Sequence, residues 1–264
     1  MILKIILAVV FVFVLHLFDD SLKADYTAFE KAQVIKALND GVSLQVFSES
    51  HKSDFDIVLA AVEKSGNNLS HASMKLKNNR KIVLMAVNQN PQSIKYADPE
   101  LKDDREVVLA AVRRHGYALY FAGKKVRNDK EVVMAAIENY GNALGASSIT
   151  MRKDKEIVET AMREHTGAIS HADISLRADK GFMIEMIKER SGALAWASAE
   201  LKADKELVLE SMKGSEFGYS YDYVDATLKN DADVLKVACE ALSDYTKTEK
   251  TKSILIGKCL SMGF

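Results

Sequence analysis

Asp104-Arg105-Glu106-Val107-Val108-Leu109-Ala110-Ala111-Val112, followed by Gly116, Ala118, Leu119, Ala122, Val126 and Arg127, is one copy of a pattern that returns every 25 residues. Asp54, Asn79, Asp104, Asp129, Asp154, Asp179 and Asp204 mark successive starts, without a slip. A period of this size means a stack of small units, each unable to bury its own apolar face. With the Asp or Asn numbered zero, apolar residues at 3, 4, 7 and 8 follow the helical period. The acid or amide before them suits an N-cap, because its side-chain oxygen can accept from the free N–H groups of the first turn. Gly41, Gly66, Gly116 and Gly141 fall where that helix should stop, and glycine reaches the left-handed C-terminal conformation freely. Positions 14, 15, 18 and 22 then describe a shorter second helix. Strand patterns are absent from the sequence. The expected fold is all-α, an α-solenoid of 25-residue two-helix repeats with degenerate terminal caps.

The register divides the chain into residues 54–230, seven tandem hairpins, flanked by a worn N-terminal repeat at 25–53 and capping helices at 231–264. The seventh repeat carries two extra residues around Glu216-Phe217-Gly218. An eighth helix begins at Asp231 and runs to about Tyr245; Thr246–Lys252 interrupts it, and Ser253–Leu260 supplies a last apolar helix. Residues 1–24 stand outside the array: Lys4 precedes an apolar run from Ile5 to Leu15 that is too short to span a bilayer and matches the core of a signal peptide, with cleavage expected after Ala24. An uncleaved membrane anchor is the alternative. The expected location is therefore the secretory pathway or beyond it, or a membrane reached only through residues 1–24. In that setting Cys239 and Cys259, the only cysteines, read either as a disulfide closing the C-terminal cap or as two small buried apolar residues. Asn68-Leu69-Ser70 is a glycosylation sequon, but position 14 should face inward.

Three columns of the repeat point to surfaces. Position 17 reads His71, Tyr96, Phe121, Ala146, His171, Trp196 and Tyr221, an edge of rings suited to a peptide or partner helix, or else to packing between repeats. Tyr219, Tyr221 and Tyr223, clustered after the insertion, form a second candidate contact patch. Position 23 is basic throughout, from Lys52 and Lys77 to Arg177 and Lys202, and position 1 adds Arg80, Arg105, Lys130, Lys155, Lys180 and Lys205. Such stripes could follow a phosphate backbone, but cations also suit helix C-termini and Glu106, Glu131, Glu156 and Glu206 interleave with them. A net charge of −1 gives no general attraction to polyanions. No catalytic motif, metal-ligand spacing or cofactor loop stands out. The sequence therefore reads as a monomeric, non-enzymatic scaffold for a protein or peptide partner, without metal or cofactor. A nucleic-acid-binding repeat protein and a structural secreted spacer are the alternatives.

The Asp104–Val112 stretch and Gly192-Ala193-Leu194-Ala195-Trp196-Ala197-Ser198-Ala199-Glu200-Leu201-Lys202-Ala203-Asp204 resemble the repeat known as domain of unknown function 4116, over about Asp54 to Asp231. The resemblance implies a helical repeat scaffold and carries no activity, substrate or site residue with it.

Overall fold

The computed structural model describes residues 20–213, 220–243, 255 and 259–261. Those residues are helical, with turns and no strand. They fall into two compact units, Met1–Ala111 and Val112–Phe264, the division lying inside the helix Arg105–Val112. Most of the expected signal segment, the insertion with Tyr219, the stretch Thr246–Lys252 and most of the expected last helix Ser253–Leu260 lie outside the described residues. The first described helix, Asp20–Asn39, runs through the boundary expected at residues 24 and 25.

The first arm of each repeat follows the pattern. Helices Phe55–Lys64 and Arg80–Gln89 stand in the first unit, and Lys130–Ile137, Lys155–Glu164, Lys180–Glu189 and Lys205–Ser211 in the second. Each begins on its Asp or Asn, whose oxygen accepts from N–H groups two or three residues on: Asp54 from Asp56 and Ile57, Asp204 from Leu207. Ile57, Val58, Ala61 and Val62 are buried, as are the same four positions in the other arms.

The glycines do something other than expected. Among the described residues only Gly41 has a positive φ, +96°, and it closes Asp20–Asn39 with bonds from its own N–H to Leu38 and from Val42 to Ala37. Four of the other first arms end on an extended residue at position 11: Ser65, Asn90, His165 and Arg190 have φ between −140° and −154°. Gly66, Gly116 and Gly141 come next, opening the second arm against the following repeat. A β-carbon on Gly66 would stand 2.2 Å from the carbonyl oxygen of Ala86, one on Gly116 2.1 Å from that of Ala136, and one on Gly141 2.5 Å from that of Ala161. These glycines are required by close approach, not by handedness.

The second arm also departs from a single helix. It is a 3-10 segment over positions 12 to 17, such as Gly66–His71, then one short helical turn, such as Met74–Lys77. Between them the Ala at position 18 is extended; Ala72 has φ −66° and ψ 154°. The cause is a bond between neighbouring repeats. The N–H at position 19 donates to the carbonyl at position 23 of the preceding repeat: Ser73 to Lys52 and Asp98 to Lys77 in the first unit, Ser148 to Arg127, Asp173 to Arg152 and Ser198 to Arg177 in the second, at 2.8–3.0 Å. That donor cannot serve a helix at the same time.

Asn68 shows the same economy. It is 8% exposed, its amide donates to the Ala61 carbonyl at 2.8 Å, and its oxygen accepts from the Leu44 N–H at 3.1 Å. The amide is thus closed to glycosylation in the folded chain. Position 14 is alanine in four other repeats, yet Asn68→Ala should cost about 2 kcal/mol, because it orphans the Leu44 N–H in the interior. Urea unfolding of the variant checks this; unchanged stability would contradict it.

Ion pairs tie successive repeats within each unit. The cation at position 1 reaches positions 0 and 2 of the next repeat, as Arg80 meets Asp104 and Glu106; in the N-terminal repeat Lys31, one place further on, meets Asp54 and Asp56. In the second unit Lys130 bridges Asp154 and Glu156 at 2.8 Å, and Lys180 bridges Asp204 and Glu206 at 2.8 Å. Lys205 bridges Asp231 and Asp233 at 2.9 and 2.6 Å. Where position 1 is Phe55 the next cap is the uncharged Asn79, and Lys81 lies over the Phe55 ring at 5.4 Å instead.

The hydrogen bonds from Lys180 and Lys205 hold the Asp204 and Asp231 carboxyls below the ordinary aspartate value. Those bonds to Asp204 and Asp231, then to Glu206 and Asp233, hold the two lysines above theirs. A depressed carboxyl stabilises the fold above its unfolded pKa and ceases to do so as pH falls through its folded value. A raised lysine stabilises below its unfolded pKa and ceases to do so as pH rises through its folded value. The melting temperature should therefore be flat between about pH 7 and pH 10 and fall on both sides, His171 with its lowered pKa adding to the acid-side fall. Added salt should lower that plateau slightly, since these pairs are exposed. Thermal melts across pH and salt check this, and a salt-independent plateau would remove the ladder from the account.

Candidate protein-binding surface

The break at positions 18 and 19 sets position 17 at the end of the 3-10 segment, where its side chain is neither core nor fully free. In the first unit His71 and Tyr96 line a cleft of about 350 Å³ with Gly41, Ser43, Lys64 and Asn67. Lys95 lies over the Tyr96 ring at 4.7 Å. In the second unit Phe121 and His171 are half-buried and Trp196 is 38% exposed. Burial, and then the charge of Arg152, lowers the pKa of His171, which keeps its imidazole neutral at physiological pH.

The Tyr cluster divides. Tyr221 is 6% exposed and its hydroxyl donates to the Lys229 carbonyl at 2.9 Å, so it is a core residue rather than a contact residue. Tyr223, 43% exposed, remains on the surface, and Lys202 lies over its ring at 5.9 Å. Tyr219 lies outside the described residues.

A denser aromatic surface was not singled out by the repeat columns. Tyr117 stacks on Tyr120 with centroids 4.9 Å apart and meets Phe121 and Tyr140 edge-on at 5.6 and 6.2 Å. Tyr117, Tyr120 and Tyr140 each keep more than a third of their surface open. Gly145 and Ala146 leave the next place in the column without a ring. The Tyr120 hydroxyl and the His171 Nδ1 each stand 3.0 Å from where a Gly145 β-carbon would be. Tyr120 donates to the Asn142 carbonyl at 3.0 Å, and burial, then the neighbouring tyrosines, raises its pKa and keeps it protonated. The sequence signal was Tyr117, Tyr120 and Phe121, three rings within five residues. Position 20 adds exposed apolar side chains, Met74 in the first unit and Ile149 and Ile174 in the second.

The basic stripes separate as well. Position 1 is consumed by the ion ladder described above. Position 23 sits beside the rings of the next repeat, as Arg177 shows by donating to the Trp196 carbonyl at 3.3 Å. Among the described residues no group of three His, Cys, Asp or Glu is placed to hold a metal. No described helix is long and apolar enough to cross a membrane.

Comparison with curated proteins and with solved structures gives no match. The family described as "Domain of unknown function (DUF4116)" matches residues 33–73, 56–102, 104–152 and 154–202, the last three matches each spanning two of the 25-residue repeats. With the period, the caps and the stacked arms all in place over the same residues, the chain belongs to the DUF4116 family.

Proposed function

We propose that this chain is a non-enzymatic helical-repeat scaffold for protein–protein interaction, working outside the compartment of its synthesis. The observation that carries the reading is the open aromatic surface of Tyr117, Tyr120, Phe121 and Tyr140. Half-exposed rings in mutual contact offer a large rigid apolar area at small entropic cost, which is what binding hot spots use. The ion ladder weighs against a polynucleotide partner, because position 1 spends its cations inside the array. Export is supported by the apolar run from Ile5 to Leu15 and by the joined Cys239 and Cys259.

Crosslinked affinity capture with the full chain from its native extract tests the interaction, alongside Tyr117→Ala/Tyr120→Ala. A partner held by the wild type and released by the variant, with the variant's circular dichroism intact, is the expected result. Equal capture by both proteins removes this surface, and no partner at all leaves a spacer. Mass spectrometry of the mature N-terminus tests export, with a start at Asp25 expected.

A further inference from the structure

Position 23 in the second unit supplies Arg127, Arg152, Arg177 and Lys202 in four successive repeats. None of the four is ion-paired among the described residues, in contrast to the cations of the ladder. All four are half-buried, and the Nε atoms of Arg127 and Arg152 are buried without a hydrogen-bond partner. Arg177 donates only to main-chain carbonyls, those of Ala172 and Trp196 at 3.2 and 3.3 Å. Asp173 accepts from the Ser175 N–H at 3.0 Å and feels the charges of Lys153 and Arg152, but closes no ion pair with Arg152. Burial, then the charge of Arg177, lowers the pKa of Lys202.

The column also has rings beside it. Arg177 touches the main chain of Trp196, and Lys202 lies over Tyr223. Arg177 and Lys202 thus each present a cation outside any ion pair with an aromatic residue next to it.

The spacing selects the ligand. Packed helices lie about 8–10 Å apart, so the cations recur at about that interval. A polyproline II chain rises about 3.1 Å per residue with three residues per turn, which returns a side chain to the same face about every 9 Å. Such chains also dock on aromatic-lined grooves. A polynucleotide carries about one phosphate per 3.4 Å of axis along each strand, roughly three for every cation here. The net charge of −1 offers a polyanion no long-range attraction either.

We infer that Arg127, Arg152, Arg177 and Lys202, with Trp196 and Tyr223 beside them, bind an extended polyproline-type peptide bearing a carboxylate at every third residue. This deepens the protein-interaction reading and rests on it.

Fluorescence anisotropy with the full chain tests the pairing. The probes are labelled peptides of four Asp-Pro-Pro, four Lys-Pro-Pro or six Asp-Pro units, and a twelve-residue oligouridine. The Asp-Pro-Pro peptide should bind at least tenfold more tightly than the other three. Arg152→Gln/Arg177→Gln should weaken it at least tenfold, while Lys130→Gln/Lys180→Gln in the ion ladder should change it less than twofold. Lys202→Gln, whose ammonium makes no hydrogen bond among the described residues, replaces Arg177→Gln if that variant loses its helical signal. Equal affinity for both acidic spacings, binding unaffected by the position 23 variants, no binding, or tighter oligouridine binding through the same residues would each overturn the inference. Captured partners retained by Arg152→Gln/Arg177→Gln would show that the scaffold reading stands while this site falls. No captured partner with wild type would count against the scaffold reading itself.

Discussion

Gly116→Ala should destabilise the chain by about 3 kcal/mol, at the upper end of overpacking costs. The added β-carbon would stand 2.1 Å from the Ala136 carbonyl oxygen and 2.8 Å from the Tyr140 β-carbon. Neither is the far end of a flexible side chain, so the first arm of the next repeat must move as a body. That movement would strain the hydrogen bond from the Tyr140 N–H to the Ala136 carbonyl, 2.9 Å long, which ends the arm. Gly181→Ala is the internal control. A β-carbon there meets only the Asp179 Oδ1 at 3.4 Å, inside the helix Lys180–Glu189. Alanine should stabilise that helix by about 0.5–1 kcal/mol by reducing the freedom of the unfolded chain. Urea unfolding of both variants checks the pair. Equal, small effects would mean that Gly116 is a turn residue after all and that the repeats tolerate a wider spacing.

Removing the disulfide should cost about as much. Cys239 lies on the helix Ala232–Ser243, 3% exposed, and is joined to Cys259, 7% exposed and 20 residues further on. Opening a loop of this length returns about 3 kcal/mol of conformational freedom to the unfolded chain. Because stacked repeats depend mainly on their neighbours, the loss should be concentrated at the C-terminal end. Reduction, or Cys239→Ala/Cys259→Ala, should lower the stability of the last repeats and speed amide exchange in Ala232–Ser243. Exchange in Lys130–Ile137 should stay nearly unchanged. Uniform acceleration along the chain would contradict the nearest-neighbour picture, and no acceleration would deny the bond a stabilising role.

Most of the first arm was legible in the sequence. The Asp and Asn caps, the apolar stripe of Ile57, Val58, Ala61 and Val62, and the inward position of Asn68 all follow from chemistry within a few residues. The family resemblance rested on the same local pattern, and the match to DUF4116 confirms it. The surfaces were less legible. Tyr96 in the first unit and His171 in the second are half-buried and Trp196 is exposed, but Tyr221 turned inward. The two-residue insertion shifts it to position 15, and Asp225 makes the bond to Lys202 that position 19 makes elsewhere. Tyr117, Tyr120 and Tyr140 gather only because stacking brings residues of two successive repeats face to face.

By itself the sequence determined the period, the helix starts and the buried positions, since each depends on spacing along one short segment. Only the tertiary structure decided why Gly66, Gly116 and Gly141 are glycine and why the second arm breaks at position 18. It also decided that position 1 is spent in ion pairs, while Arg127, Arg152, Arg177 and Lys202 form none among the described residues. Each of these depends on an atom about one repeat away, a carbonyl or carboxylate that local periodicity cannot place until the repeats are stacked.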